Sequence, residues 1–122
     1  MPLTSLPDAS FPSEQPEQTE LNLPAPINIG NDSTQMPYWI RPANLFQKRE
    51  MILNPPKYIK IHVAWSSPID QNSEKFWLKV VATYRLWMDC VVANELKGAD
   101  RHHIKFGDVM RISPDEVFEV IQ

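Results

Sequence analysis

The sequence predicts a small α+β fold, in which an antiparallel sheet packs on one long helix and an extended proline-rich amino-terminal arm precedes both. Three observations predict it. Prolines crowd the first third of the chain, where their missing N–H and fixed φ stop regular structure from propagating. "KYIKIHVAW" (residues 57–65) alternates apolar and polar side chains at period two, the pattern of a half-buried strand. The stretch "SSPIDQNSEKFWLKVVATYRLWMDCVVANELKG" (66–98) opens with helix-start residues, closes with a helix-stop residue and is apolar around most of a helical circumference.

The arm spans residues 1–40 and a small α+β domain spans 41–122. Eight of the twelve prolines fall within residues 1–42. The first forty residues hold five acids (Asp8, Glu14, Glu17, Glu20, Asp32) and no Lys or Arg, so the arm carries −5 and the rest +2, which sums to the chain's −3. Such a segment is expected to be extended, with polyproline II character. Phe11, Leu21, Leu23, Ile27 and Ile29 have no use in a solvated linker, and Tyr38 and Trp39 suit an anchor to the domain. The arm is therefore expected to lie along a partner, whose contacts must offset about 1–2 kcal/mol of entropy per ordered residue.

The elements come in this order. "PANLFQKREMI" forms either a short helix with Pro42 in its first turn or a strand ending at Leu53, and Pro55 and Pro56 break it. In the strand Lys57–Trp65, residues Ile59, Ile61, Val63 and Trp65 share one face, and Tyr58, Lys60 and His62 the other. The dominant helix runs from about Pro68 to Lys97, with Ser67 as N-cap, Pro68 first in the helix, Asp70 at the positive end of the dipole and Gly98 as the stop. Its apolar residues, Phe76 through Val92, fill an arc of about 200°, beyond the roughly 100° stripe of a surface helix. One sheet face cannot cover that arc, so Trp77, Tyr84 and Trp87 are expected to meet the arm, the carboxy-terminal segment or another subunit. A hairpin over Ile104–Ile112 turns at Gly107-Asp108, and "SPDEVFEVIQ" opens a short terminal helix with a capping box from Ser113 to Glu116.

The totals narrow the function classes. A length of 122 residues suits one domain, and a charge of −3 argues against a large phosphate-binding surface. One cysteine, Cys90, excludes an internal disulfide framework and suits a small buried side chain. The amino terminus lacks the basic and apolar regions of a signal peptide, and no run reaches the roughly 18 apolar residues of a membrane span. The expected location is the cytoplasm or a particle assembled inside a cell. His102 and His103 point apart on an extended segment and read as a polar loop rather than a metal site, and His62 reads as a surface or interface histidine. With three glycines, no phosphate-cradling loop and no nucleophile elbow, no catalytic residue, cofactor or metal is expected.

The expected function is a non-enzymatic structural or accessory subunit of a larger assembly, with its arm draped over neighbours. A virion component such as a phage capsid, connector or tail accessory protein is favoured. A small accessory subunit of an organellar or cyanobacterial complex is the further option. The partners would be protein subunits, further copies of the chain included. A second class is DNA binding. "TYRLWMDCVVANELKGADRHHIKFGDVMRISPDEVFEVI" (83–121), read as helix, loop, wing-like hairpin and capped helix, resembles the winged-helix part of excisionase and MerR-type DNA binders over about a third of the chain. The resemblance implies phosphate contacts from Arg85, Lys97, Arg101, Lys105 and Arg111. It departs from that pattern in an apolar helix where a recognition helix belongs and in lacking the preceding helix-turn-helix.

Overall fold

Strands are the dominant regular element of the fold, with only two short helices and a 3₁₀ turn beside them among the described residues. The structure, a computed structural model, describes residues 4–13, 23–29, 37–66 and 71–122. In chain order the elements are β1 (Thr4–Ser5), β2 (Trp39–Ile40), α1 (Lys48–Leu53), β3 (Tyr58–Ser66), β4 (Gln71–Thr83), β5 (Met88–Val92), α2 (Ala99–His102), β6 (Val109–Ile112), a 3₁₀ turn (Pro114–Glu116) and β7 (Val117–Ile121). All seven strands belong to one sheet. β3 takes β4 on one edge and both β7 and β2 on the other, and β4, β5 and β6 continue as a meander. Every pairing is antiparallel except β1, which lies parallel to β4. The sheet curls so far that its outer strands, β6 and β7, are consecutive in the chain and separated only by residues 113–116. The result is a curled, mainly antiparallel sheet.

The long helix expected over residues 68–97 is absent, and with it the sheet-on-helix architecture. The same residues form the thirteen-residue strand β4, a tight turn and β5. The reason lies in the side chains: Phe76, Trp77, Val80, Val81, Thr83, Val91 and Val92 are aromatic or β-branched and fit a pleated surface better than a helix. An apolar arc of about 200° is also what a strand buried on both faces looks like when plotted on a helical wheel. The expected helix start at Ser67, Pro68 and Asp70 lies outside the described residues. Residues 71–79 of β4 pair with β3 and residues 78–83 with β5 on the other edge, and a bulge between Val80 and Ala82 shifts the β5 register.

Ile59, Ile61, Val63 and Trp65 point inward from β3 as the alternation predicts, and they pack with Phe76, Leu78, Met88, Cys90, Val92, Ile104, Met110, Ile112 and Val117. Each fully buried large side chain in this set contributes about 1.5–3 kcal/mol. The short helix after Pro42 is found, as α1, but it begins at Lys48. The hairpin over 104–112 is not: only Val109–Ile112 is strand, and it pairs with β5. Gly107 does occupy a turn, at φ +91°. The Ser113 start is also real, since Glu116 Oε1 accepts from the Ser113 N–H at 2.9 Å. It opens a 3₁₀ turn and then a strand instead of a helix. The winged-helix order of helix, wing and helix is therefore not the order of residues 83–121.

The described parts of the first forty residues cover sheet edges. The Leu6 N–H donates to Ser73 O at 2.9 Å and Ser13 N–H to Ala93 O at 2.6 Å. Farther on, Ile27 N–H donates to Val109 O at 2.8 Å. Asn28 then pairs its side-chain amide with the Arg111 backbone, accepting from N–H at 2.7 Å and donating to O at 2.6 Å. Open edges template unwanted pairing, and these segments occupy them. Among the described residues no helix is long and apolar enough to cross a membrane.

Candidate functional site

Two charged constellations organise the molecule, one sealed and one open. The sealed one is built on Glu74, an acid on the inward face of β4 two residues before Phe76. Its Oε2 accepts from the Lys97 N–H at 2.8 Å, and its Oε1 from the Gly98 N–H at 2.9 Å and from His102 Nε2 at 3.0 Å. His102 Nδ1 in turn accepts from the Ile104 N–H at 3.0 Å. That last bond places the ring proton on Nε2, so a neutral imidazole meets both neighbours. Burial pushes the Glu74 carboxyl up, but the bonds from His102, Lys97 and Gly98 outweigh it and hold the group below the usual carboxylate range. Trp65 closes on the His102 ring edge-on at 5.1 Å between centroids. The side chain of His102 is wholly buried, so this acid–histidine pair ties the 93–108 loop to the sheet and faces no solvent. His102 is thus not in a polar surface loop; its neighbour His103 is exposed. Cys90 is buried as expected, and burial pushes its thiol up.

The open constellation lies at the β4–β5 turn. Arg111 on β6 donates to Asp89 on β5 through Nε at 2.8 Å and Nη2 at 3.2 Å. Its guanidinium sits 5.2 Å from the Tyr84 ring centroid and 4.9 Å from that of Trp87. Beside this cluster runs a groove of about 560 Å³ between α1 and the turn, lined by Lys48, Arg49, Ile52, Leu53, Arg85 and Leu86. Leu53 is 64% exposed and Leu86 62%. Lys48 reaches Asp115 at 3.5 Å. The lining therefore offers three cations and three aliphatic side chains, and no acid.

The structure brings together Tyr84, Trp87, Arg85 and Arg111, which the sequence divides between protein and nucleic-acid contacts. Arg111 is already engaged by Asp89. Lys97, Arg101 and Lys105 are exposed on the 93–108 loop, where Arg101 approaches Asp100 at 4.0 Å. Phe11, Ile27, Ile29 and Trp39 are exposed, Phe11 at 77%, and Leu23 is half-buried. Leu21 lies outside the described residues. Two expected contact residues are buried, Tyr38 in the core and Trp77 on the outer face of the sheet beneath the arm. Tyr38 is buried against the core, where burial, then Asp108 and Glu116, push its phenol up. Trp77 is 2% exposed and donates Nε1–H to Ala9 O at 3.0 Å.

Trp77 meets the arm, one of the occupants expected for it. Of the other two rings, Trp87 is half-buried and Tyr84 is 44% exposed. Leu53, Leu86 and the cations of α1 carry no motif in the sequence. The only advance sign is an amphipathic "KREMIL" facing an unknown surface. Among the described residues no three His, Cys, Asp or Glu side chains converge as metal ligands. Comparison with protein-family models, with curated proteins and with solved structures finds no match to this chain.

Proposed function

We propose that the protein is a non-enzymatic structural or accessory subunit of a larger assembly, and that it docks a neighbouring subunit in the groove between α1 and the β4–β5 turn. The observation that carries this reading is the groove's lining: exposed Leu53 and Leu86 flanked by Lys48, Arg49 and Arg85, with no acid among them. Exposed apolar side chains ringed by charge mark interaction sites, and Tyr, Trp and Arg are the residues that dominate them. Charge complementarity makes the partner's contact segment acidic, with apolar side chains to meet Leu53 and Leu86. The groove takes the place of the sequence-predicted helix as the support for this role. The sealed geometry of Glu74 and His102 favours a scaffold role for the one buried acid–histidine pair among the described residues.

A second reading is nucleic-acid binding, favoured by cations and rings side by side at Tyr84, Arg85 and Trp87. One experiment separates the two. The mass and composition of the native particle containing the protein are measured in its source cell, for the wild type and for Leu53→Asp/Leu86→Asp. Both leucines are exposed, so the variant keeps its melting temperature. A protein particle lost in the variant supports the docking reading. A particle that contains nucleic acid and dissociates steeply with salt supports the second. A monomer in both cases removes both readings.

A further inference from the structure

We propose that Arg41, His62 and Lys75 form a binding site for a phosphate group on the outer face of the sheet. The three residues are distant in sequence, and the register assembles them. β2 ends at Ile40 opposite Val63, and the next residue, Arg41, donates its backbone N–H to His62 O at 2.8 Å. On the other side of β3, His62 is the direct partner of Lys75 on β4. Residues directly opposite on neighbouring strands share a face. Three basic residues, two on the adjacent strands β3 and β4 and one just beyond the end of β2, therefore stand in one row.

Three features of this row are unfavourable while it is empty. Arg41 and Lys75 bring two positive charges to either side of His62 and oppose its protonation. Among the described residues neither Arg41 nor Lys75 has an acid within ion-pair range; Lys75 Nζ lies instead over the Phe118 ring, 5.3 Å from its centroid. The third feature is His62 itself. It is 8% exposed, its ring meets the edge of Phe118 at 5.4 Å, and its Nε2 is buried without a hydrogen-bond partner. Leaving such an atom unmatched costs about 1–3 kcal/mol.

One guest relieves all three. A phosphate group carries about −1.5 to −2 charges and three acceptor oxygens, enough to take donors from Arg41, His62 and Lys75 together. Every element packed against His62 contributes to its titration. Burial lowers its affinity for a proton first, then Lys75 from β4 and Arg41 from beyond β2, while Asp8 from the arm opposes them and Phe118 from β7 adds no charge. A dianion in the row reverses that field, so binding and protonation of His62 support each other. Asp8 does not fill the site: its carboxylate turns to Lys60, at 3.7 Å. The site is independent of the α1 groove, and its failure would leave the docking reading intact.

The test is an NMR titration of the full chain with inorganic phosphate at constant ionic strength, following the imidazoles of His62 and His102. Sodium chloride serves as the control, and a nucleoside monophosphate as a second ligand arm. Saturable movement of His62 at millimolar phosphate, with a raised protonation midpoint and a still His102, is the expected result. The Arg41→Gln/Lys75→Gln variant, whose side chains are only half-buried, keeps its fold and loses that response. Equal affinity for the monophosphate identifies the headgroup as sufficient, and tighter binding adds stacking on Phe118; both sustain the site. No saturable change, an equal response to chloride, or an undiminished response in the double variant overturns it.

Discussion

His102 and His62 are both buried, and they sit on opposite faces of the same sheet with opposite surroundings. His102 faces inward, and each of its nitrogens has a partner: the Ile104 N–H on one side and Glu74 on the other. His62 faces outward, and its Nε2 has none. The neighbours repeat the contrast. The carboxylate bonded to His102 is matched by two backbone amides and the ring. Around His62 are Lys75 and Arg41, neither with an acid in ion-pair range among the described residues, with Asp8 opposing their field. One row below, the same outer face shows what a settled arrangement looks like: Lys60 has Glu119 at 3.4 Å, Asp8 at 3.7 Å and the Trp77 ring beneath it at 4.9 Å. The Glu74–His102 pair holds the loop to the sheet, while His62 Nε2 is one of the buried polar atoms left without a hydrogen-bond partner among the described residues.

Breaking the matched histidine has the largest expected effect. Glu74→Gln keeps the size of the side chain but loses charge-assisted bonds to two amides and His102. The expected cost is about 3 kcal/mol, seen as a lower urea midpoint at neutral pH. The pH dependence gives a second readout. Because the folded Glu74 carboxyl is held below the usual carboxylate range, the unfolded chain binds its proton first as pH falls. The stability from this group is therefore complete above the usual carboxylate range, declines as pH drops through it, and is gone below the folded value. Wild type and Glu74→Gln should converge in stability under acid, and a constant gap between them from neutral pH to acid would show that the charge is not what holds the loop.

The next effect acts on the same cluster through shape alone. A Cβ on Gly98 would lie 2.6 Å from Trp65 Cη2 and 3.1 Å from Glu74 Oε1. Gly98→Ala therefore pushes the ring that closes on His102, at an expected 1–3 kcal/mol, about the range for overpacking. Its signature is a changed near-ultraviolet dichroism from Trp65 without the acid convergence expected for Glu74→Gln.

Some of the molecule is legible in its residues and some is not. The strand at 58–66 is, because Ile59, Ile61, Val63 and Trp65 alternate with polar neighbours. The Ser113 start is legible as a local hydrogen-bond pattern, although the strand after it is not: "VFEVI" is short enough for either period. Residues 71–92 mislead for a physical reason. Both faces of β5 are buried, and on the outer face of β4 the apolar Trp77 stands between the half-buried Lys75 and Lys79, so no clean polar alternation remains to distinguish a strand from an all-round apolar helix. The β-branched content at Val80, Val81, Thr83, Val91 and Val92 is the signal that outweighs the capping residues. Gly98 looks like a helix stop, and its real constraint is contact with Trp65, which only tertiary structure reveals. The basic row is invisible for the same reason: Arg41, His62 and Lys75 meet only through strand register.

The smallest effect comes from the unmatched histidine's row, and its sign is the informative part. Arg41→Gln/Lys75→Gln removes two like charges from positions flanking His62 and breaks no ion pair with a described residue. Cross-strand charge effects run to about 0.2–1 kcal/mol, so in phosphate-free buffer the variant should melt level with the wild type or a few degrees above it. A ligand that binds only the folded chain adds RT ln(1 + [L]/Kd), about 2.7 kcal/mol at a hundred times Kd. Phosphate near saturation should therefore raise the wild type past the variant and reverse their order. Destabilisation of the variant without phosphate would mean that Arg41 and Lys75 stabilise the empty fold, and the contrast between the two histidines would lose its functional meaning.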